Sequence, residues 1–426
     1  MHFRKFKSVA TALIVFATAS LPFCPIPAAE AHGGGVIGLH KIQMPRKVQA
    51  TSVDNVRDFG ATGNGTTDDT NAIQNAANDA ARRHIGVFFP AGTYLHASTI
   101  TFNGVPVSGV RNGSILVANN PNLCAIFLSG YGVSFQNMVV STQGLTGGPL
   151  TFQGANLSVY NATSWVVSNV TIVTGSGFCG LLTGLSTVGA ITSVVVDGTG
   201  NTNDYGIFIV QGATNITVSN CLLQNEATGI EVGGLALWIA VLNNTIGSVA
   251  YPTQVIGMAI LDVENCDVAG NTIQMADNRT VSTAILMNQD DNFTVANNNT
   301  YGAAVGISVQ QFGSGNNIVT QNTIHNCGVQ GIETTGFSTS AVQITNNVFG
   351  ECGLTATGSS TNNAVILITG SGADLSGATT FVKNNSYQGH RNGLVSYVTC
   401  TFTSPHIPAA NVSGNTQTQT TLANNI

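Results

Sequence analysis

The sequence predicts an all-β protein, a parallel β-helix built as a single-stranded solenoid with a capping helix near its N-terminus. Three observations predict it: a phrase that recurs along most of the chain, an asparagine that closes each copy, and a stripe of alanines ahead of the first copy.

The phrase is clearest from Tyr205 onward. A small residue leads into alternating apolar and variable positions, then a turn, a second apolar run and an asparagine. The first half reads YGIFIVQ, TGIEVGG, IGMAILD, TAILMNQ, VGISVQQ, QGIETTG, NAVILIT and NGLVSYV. The small residue is Gly206, Gly229, Gly257, Ala284, Gly306, Gly331, Ala364 and Gly393, at intervals of 22 to 33 residues. The stretches GVSFQNMVV and SWVVSNVTIV are earlier, less regular copies. Alternation with period two marks strands, and a repeat of this length with several strands marks coils that stack. A lone coil cannot bury its inward side chains, whereas stacked coils can, at about 4.8 Å per rung.

The asparagines are Asn220, Asn244, Asn271, Asn298, Asn322, Asn347 and Asn385. Asparagine tolerates a left-handed turn, and stacked amides bond to one another, so the column is expected to form an internal ladder. Glycosylation sequons such as Asn169-Val-Thr and Asn243-Asn-Thr overlap this column, and burial is expected to deny most of them to modification.

The alanine stripe lies in VRDFGATGNGTTDDTNAIQNAANDAARRHIGVFFPAGTYL, Val56 to Leu95. Thr67 or Asp68 is placed to cap a helix, and a carboxylate in its first turn favours the positive end of the helix dipole. Ala72, Ile73, Ala76, Ala77 and Ala80 form an apolar face fit to seal the open end of a solenoid. The neighbouring Asp68 and Asp69 are therefore read as structural, not catalytic.

This segment resembles the N-terminal segment of the pectate lyase superfamily: Asp-Phe-Gly-Ala, a Gly-rich turn, Asp-Asp-Thr opening a helix, then Phe-Pro-x-Gly-x-Tyr. The resemblance implies that the β-helix is right-handed and that the chain is similar to secreted polysaccharide lyases, hydrolases, epimerases and phage tailspikes. The family's hydrolase and epimerase signatures are absent: GNTNDYG (Gly200–Gly206) and QGHRNG (Gln388–Gly393) depart from the polygalacturonase pattern. In YGIFIV, Phe208 and Val210 stand where a mannuronan epimerase has its acid and histidine.

Of 426 residues, 8% are charged and 43% are hydrophobic, which argues against disorder and against nucleic-acid binding. Residues 1–31 read as a secretory signal: Arg4, Lys5 and Lys7, the apolar run Val9 to Ala19, and Ala29-Glu30-Ala31 as cleavage site. The run is too short to cross a bilayer, so a secreted, extracellular or periplasmic protein with no membrane association after cleavage is expected. The remainder holds ten basic and eighteen acidic residues, a formal charge of −8. Such a surface repels nucleic acid and anionic membranes. Residues 32–50 read as a linker, 51–112 as cap and first rungs, 113–400 as β-helix repeats, and 401–426 as a C-terminal tail or cap.

Outward strand positions are where a solenoid meets a substrate. Counting two residues past each small residue gives the outward column Phe208, Glu231, Ala259, Leu286, Ser308, Glu333, Ile366 and Val395, apolar enough to expect cover by a loop or a partner chain. Glu231, with Asp204 opening the previous rung and Glu226 leading into its own, is the candidate acid/base set for a glycosidic bond. Asp262, Glu264, Asp290 and Asp291 fall at neighbouring turns of two rungs. Four such carboxylates repel unless a hard cation joins them, so Ca²⁺ is the one cofactor expected. Gln274, Tyr301 and His325 each follow a ladder asparagine by three residues, and an aromatic ring with amide and imidazole suits sugar binding. Cys327 and Cys352, five past their asparagines, read as inward thiols filling core space rather than a disulfide.

The expectation is a secreted right-handed parallel β-helix acting on a uronic-acid or other cell-wall polysaccharide by hydrolysis or β-elimination. Its partner is the polysaccharide, and a homo-oligomer is compatible with the apolar face. The rival reading is a non-catalytic extracellular protein that binds polysaccharide or builds a surface structure.

Overall fold

In a computed structural model, described for residues 52–120, 124–143, 155–175, 179–198, 205–247, 255–275, 282–312, 315–336, 341–352, 364–370, 381–387, 396–401, 412–417 and 424–425, each rung supplies three short strands. The strands fall into three ranks. Tyr205–Val210, Thr228–Val232 and Ile256–Leu261 belong to the first, Thr214–Ser219, Ala236–Leu242 and Val263–Ala269 to the second, and Leu222–Gln224, Thr245–Gly247 and Thr272–Gln274 to the third. Every pairing joins a strand to its counterpart one rung on, and all are parallel. The long strand Ala155–Ser168 runs through the first two ranks and joins them into one 26-stranded sheet, while the third rank is a separate 14-stranded sheet. The fold is the right-handed parallel β-helix that the sequence predicts.

The interior is built from columns. Val218, Val241, Val268, Val295, Val319, Ile344 and Val382 stack from the second rank, and Val196, Leu223, Ile246, Ile273, Ile324 and Phe349 from the third, all buried. The recurring small residue lies where the first rank crosses this third-rank column. A methyl on Gly257 would stand 2.5 Å from Ile273 Cγ2 and 2.7 Å from the Ala284 carbonyl, and one on Gly306 would stand 2.5 Å from Ile324 Cγ2. The rung that carries alanine there, Ala284, has the smaller Thr300 in the third-rank column. Steric crowding thus writes the repeat into the sequence.

The asparagine ladder runs between the second and third ranks. Asn244, Asn271, Asn298, Asn322, Asn347 and Asn385 each donate a side-chain N–H to the next member's Oδ1 at 2.9 to 3.0 Å, ending on Asn415. One expected member is displaced. Asn220 occupies the left-handed corner just before the ladder, with φ 55°, and the ladder position itself is Cys221, whose N–H donates to Asn244 Oδ1. The corner residues Asn243, Asn297, Asn346 and Asn384 share that left-handed conformation. Asn243, the acceptor of the sequon Asn243-Asn-Thr, is exposed; the buried asparagine is its neighbour Asn244, so the ladder leaves this sequon accessible.

At the N-terminal end the helix Thr70–Arg83 buries Ile73, Ala76, Ala77 and Ala80 over the first rungs, with Ala72 half-covered at the edge. Its N-cap residue is Asp69, not Thr67. The Asp69 carboxylate turns back to accept the Thr62 N–H at 2.7 Å and the Gly63 N–H at 3.0 Å, which ties the Gly-rich turn down. Asp68 accepts the N–H of Thr70 at 3.0 Å as well as its hydroxyl, which holds the Asp68 carboxyl below its usual range. Both aspartates are structural, and no helix among the described residues is long and apolar enough to cross a membrane. The expected signal and linker segments lie outside the described residues. Within 401–426, Val412–Ser413, Thr416–Gln417 and Asn424–Asn425 still pair with the preceding rungs.

Candidate functional site

The register fixes what the outward face of the first rank presents. Leu182, Phe208, Glu231, Ala259, Leu286, Ser308 and Glu333 stand directly over one another on successive rungs. The next two members are Leu367 and Thr399, one residue beyond the expected Ile366, which is turned into the core. The long interval before this rung hides the shift; Val395 lies outside the described residues. Phe208, Ala259, Ser308 and Leu367 are buried within the single chain, so this face is already largely covered without a partner copy.

Glu231 stays half-buried on that face. Burial pushes its carboxyl from 4.5 to about 7, because the charged form loses hydration. Beside it on the preceding rung, Tyr205 and Phe208 stack with ring centroids 5.2 Å apart and planes inclined by 20°. Burial together with the nearby charge of Glu231 raises the Tyr205 hydroxyl, and burial with the charges of Glu226 and Glu231 holds the Cys179 thiol well above its ordinary value. These four groups share one neighbourhood across three rungs. Glu333 is also raised by burial, but it lies four rungs from Glu231, roughly 19 Å at the rung spacing, too far to act as its partner.

Glu226 faces elsewhere than expected. It is 2% exposed and lies against the inner crossing point: a methyl on Gly206 would stand 3.4 Å from Glu226 Cγ, as one on Gly257 would from Met275 Sδ and one on Gly306 from Cys327 Sγ, each at 3.3 Å. The carboxylate thus occupies an interior corner that other rungs give to sulfur side chains. The left-handed corner at Asn225 makes this turn, and alternation cannot reveal it. Asp204 lies outside the described residues.

The four carboxylates expected to hold Ca²⁺ do not converge. Asp262 is the left-handed corner residue of its rung, with φ 61°, and Gln289 is its counterpart one rung on. The residue after each corner points inward, so Asp290 is fully buried while Glu264 and Asp291 pair side by side at the start of the second rank. Asp290 accepts the Val263 N–H at 2.8 Å through Oδ1, and its Oδ2 has no partner. Burial raises its carboxyl well above the usual range. Among the described residues no three His, Cys, Asp or Glu side chains come together as metal ligands.

The third-rank trio is assembled as expected. Gln274, Tyr301 and His325 stand in register on consecutive rungs and, with Thr272, Ile273 and Asn299, line an open depression of about 270 Å³. A methyl on Gly350 would collide with Nδ1 of His325, so the missing side chain is what lets the imidazole lie against the next rung. The trio and Glu231 belong to different sheets and present to different faces. Cys327 and Cys352 are buried thiols, not joined to each other.

The family model for rhamnogalacturonase A/epimerase, pectate lyase-like proteins matches residues 53–352. The chain belongs to that family. The chain is 32% identical over 119 residues to a glucan 1,3-beta-glucosidase of Cochliobolus carbonum, a match covering 25% of this chain and only 15% of that protein. Three solved structures share the fold. The A-module of a mannuronan C-5 epimerase from Azotobacter vinelandii aligns over 86% of this chain and 100% of its own, with TM-score 0.51 and 17% identity. An N-terminal fragment of the bacteriophage phi29 gene product 12 aligns over 85% and 70%, with TM-score 0.57 and 16% identity. The Streptococcus pneumoniae surface protein and adhesin PfbA aligns over 86% and 100%, with TM-score 0.57 and 12% identity. At these identities the likeness is one of fold, and the site must carry the chemistry.

Proposed function

We propose that this protein is a secreted glycoside hydrolase of an extracellular polysaccharide, with Glu231 as the proton donor to the leaving glycosidic oxygen. The observation that carries the reading is the half-buried Glu231 carboxyl, raised to about 7 beside the stacked Tyr205 and Phe208. A carboxylic acid that keeps its proton near neutrality is what a leaving alkoxide requires, and Tyr205, the half-buried member of the pair, offers an aromatic edge to a sugar ring. The second carboxylate, which attacks the anomeric carbon or activates water, is assigned to Asp204, which directly precedes Tyr205 in sequence. Glu226 lies in its interior corner, away from the sugar-facing side, and its charge acts on the Cys179 thiol.

Hydrolysis is preferred to β-elimination because of what the described residues of the face lack. A polyuronate lyase needs a base for the C5 proton, commonly Arg or Lys. Among the described residues beyond Arg111, the one such residue is Lys383, which lies over the Phe381 ring in the second rank. Incubation of the purified protein with polygalacturonate, alginate and β-1,3-glucan tests this. New reducing ends without ultraviolet absorbance from unsaturated uronate are expected. Absorbance rising in step with reducing ends would replace hydrolysis by elimination, and neither signal on any polymer would leave the non-catalytic reading.

A further inference from the structure

We infer that the third-rank depression is a second sugar-binding site, built for an uncharged polysaccharide and separate from the face that carries Glu231. Its lining decides the ligand class. Gln274 and Asn299 supply amide donors and acceptors, Thr272 a hydroxyl, His325 an imidazole, and Tyr301 a ring that is 45% exposed. An exposed ring flanked by short polar groups matches a pyranose, which offers C–H bonds on its faces and hydroxyls around its rim.

The lining includes no Lys, Arg, Asp or Glu. Nothing in it neutralises a carboxylate, and the chain as a whole carries a formal charge of −6, which disfavours a polyanion further. A neutral glucan-like chain therefore fits where a polyuronate does not.

The geometry is repetitive in the same direction as such a ligand. Gln274, Tyr301 and His325 advance by one rung each, about 4.8 Å, so a chain laid along the solenoid axis meets a new side chain at intervals close to one sugar residue. Glycine closes the column at both ends: Gly247 pairs with Gln274, and Gly350 lies beneath His325. At one end Gly247 adds no side chain, and at the other the His325 imidazole takes the space that a side chain on residue 350 would fill. The role is retention of polymer, with no bond made or broken there.

The test is affinity electrophoresis of the whole protein through gels containing a neutral β-1,3-glucan or polygalacturonate. The glucan gel is expected to retard the wild type. Tyr301→Ala loses about tenfold in affinity, and Gly350→Ala, which displaces His325, loses affinity with Tyr301 intact. Circular dichroism checks that each variant is folded; Tyr301 is exposed on its strand, and Gly350 is a buried residue just past the strand Val348–Phe349. Retardation of Tyr301→Ala equal to that of the wild type would overturn the inference, as would retardation by polygalacturonate alone. Absence of hydrolysis, by contrast, would remove the catalytic reading and leave this binding result standing.

Discussion

Asn298 Oδ1 accepts two hydrogen bonds from Asn271, one from its backbone N–H and one from its side-chain amide, each at 2.9 Å. The Asn298 amide in turn donates to the Val268 carbonyl at 2.9 Å and to Asn322 Oδ1 at 3.0 Å. A corner with no room for water is thus satisfied by one residue type stacked on itself.

Asn298→Ala should therefore be costly. It strands two donors on Asn271 and removes the side-chain donor to the Val268 carbonyl, while Asn322 Oδ1 keeps the backbone N–H of residue 298; each buried group left unsatisfied costs about 1–3 kcal/mol. Urea denaturation is expected to show a loss of about 3 kcal/mol or more. An unchanged midpoint would mean that the ladder is decorative.

Gly257→Ala tests the steric origin of the repeat. The added methyl meets Ile273 Cγ2 at 2.5 Å and a backbone carbonyl at 2.7 Å, so overpacking of about 1–3 kcal/mol is expected. Because Ile273→Ala removes that Cγ2, Gly257→Ala should cost less in an Ile273→Ala background than in the wild type in the same denaturation experiment. An equal cost in both backgrounds would remove the pairwise explanation.

Asp290 links stability to pH. Its folded pKa lies above the unfolded value, so the protonated group contributes fully below about 3.9, and that contribution is lost as pH rises toward the folded value. In Asp290→Asn the amide oxygen can keep the Val263 N–H bond, and there is no charge to bury. The variant is expected to gain on the wild type by about 1.4 kcal/mol per pH unit across that window. Melting temperatures that shift in parallel from pH 4 to pH 8 would contradict this.

Glu231 gives the same sign for a different quantity. A proton donor near 7 makes turnover fall as pH rises through about 7, and its contribution to stability is lost over the same range, from 4.5 upward. Rates measured from pH 5 to 9 should therefore show a basic limb near 7. A limb centred near 4.5 would assign the donor elsewhere.

What was legible in the sequence follows from which constraints are local. Gly206, Gly229, Gly257, Gly306 and Gly331 are conspicuous because each is crowded by its own rung, and Gln274, Tyr301 and His325 because they keep a fixed offset from the ladder. Asn220 misled by one position because several corners read Asn-Asn, as at 243–244 and 346–347, so the left-handed residue and the ladder residue look interchangeable until a rung carries Asn-Cys. Glu226 and Asp290 were legible as acids but not as inward ones. A single left-handed residue, Asn225 before the one and Gln289 before the other, redirects the chain, and hydrophobic alternation carries no record of it. Four carboxylates at neighbouring turns therefore looked like a cation site although one of them faces the core.

The account rests on Glu231 as a protonated acid at a sugar-cleaving face. Reducing-end release by wild type and Glu231→Gln, measured on whichever polymer the wild type cleaves, tests it most directly. The account predicts at least a hundredfold loss, on the order expected for removing a general acid, with an unchanged melting temperature at pH 5. A Glu231→Gln protein that cleaves at the wild-type rate would contradict it.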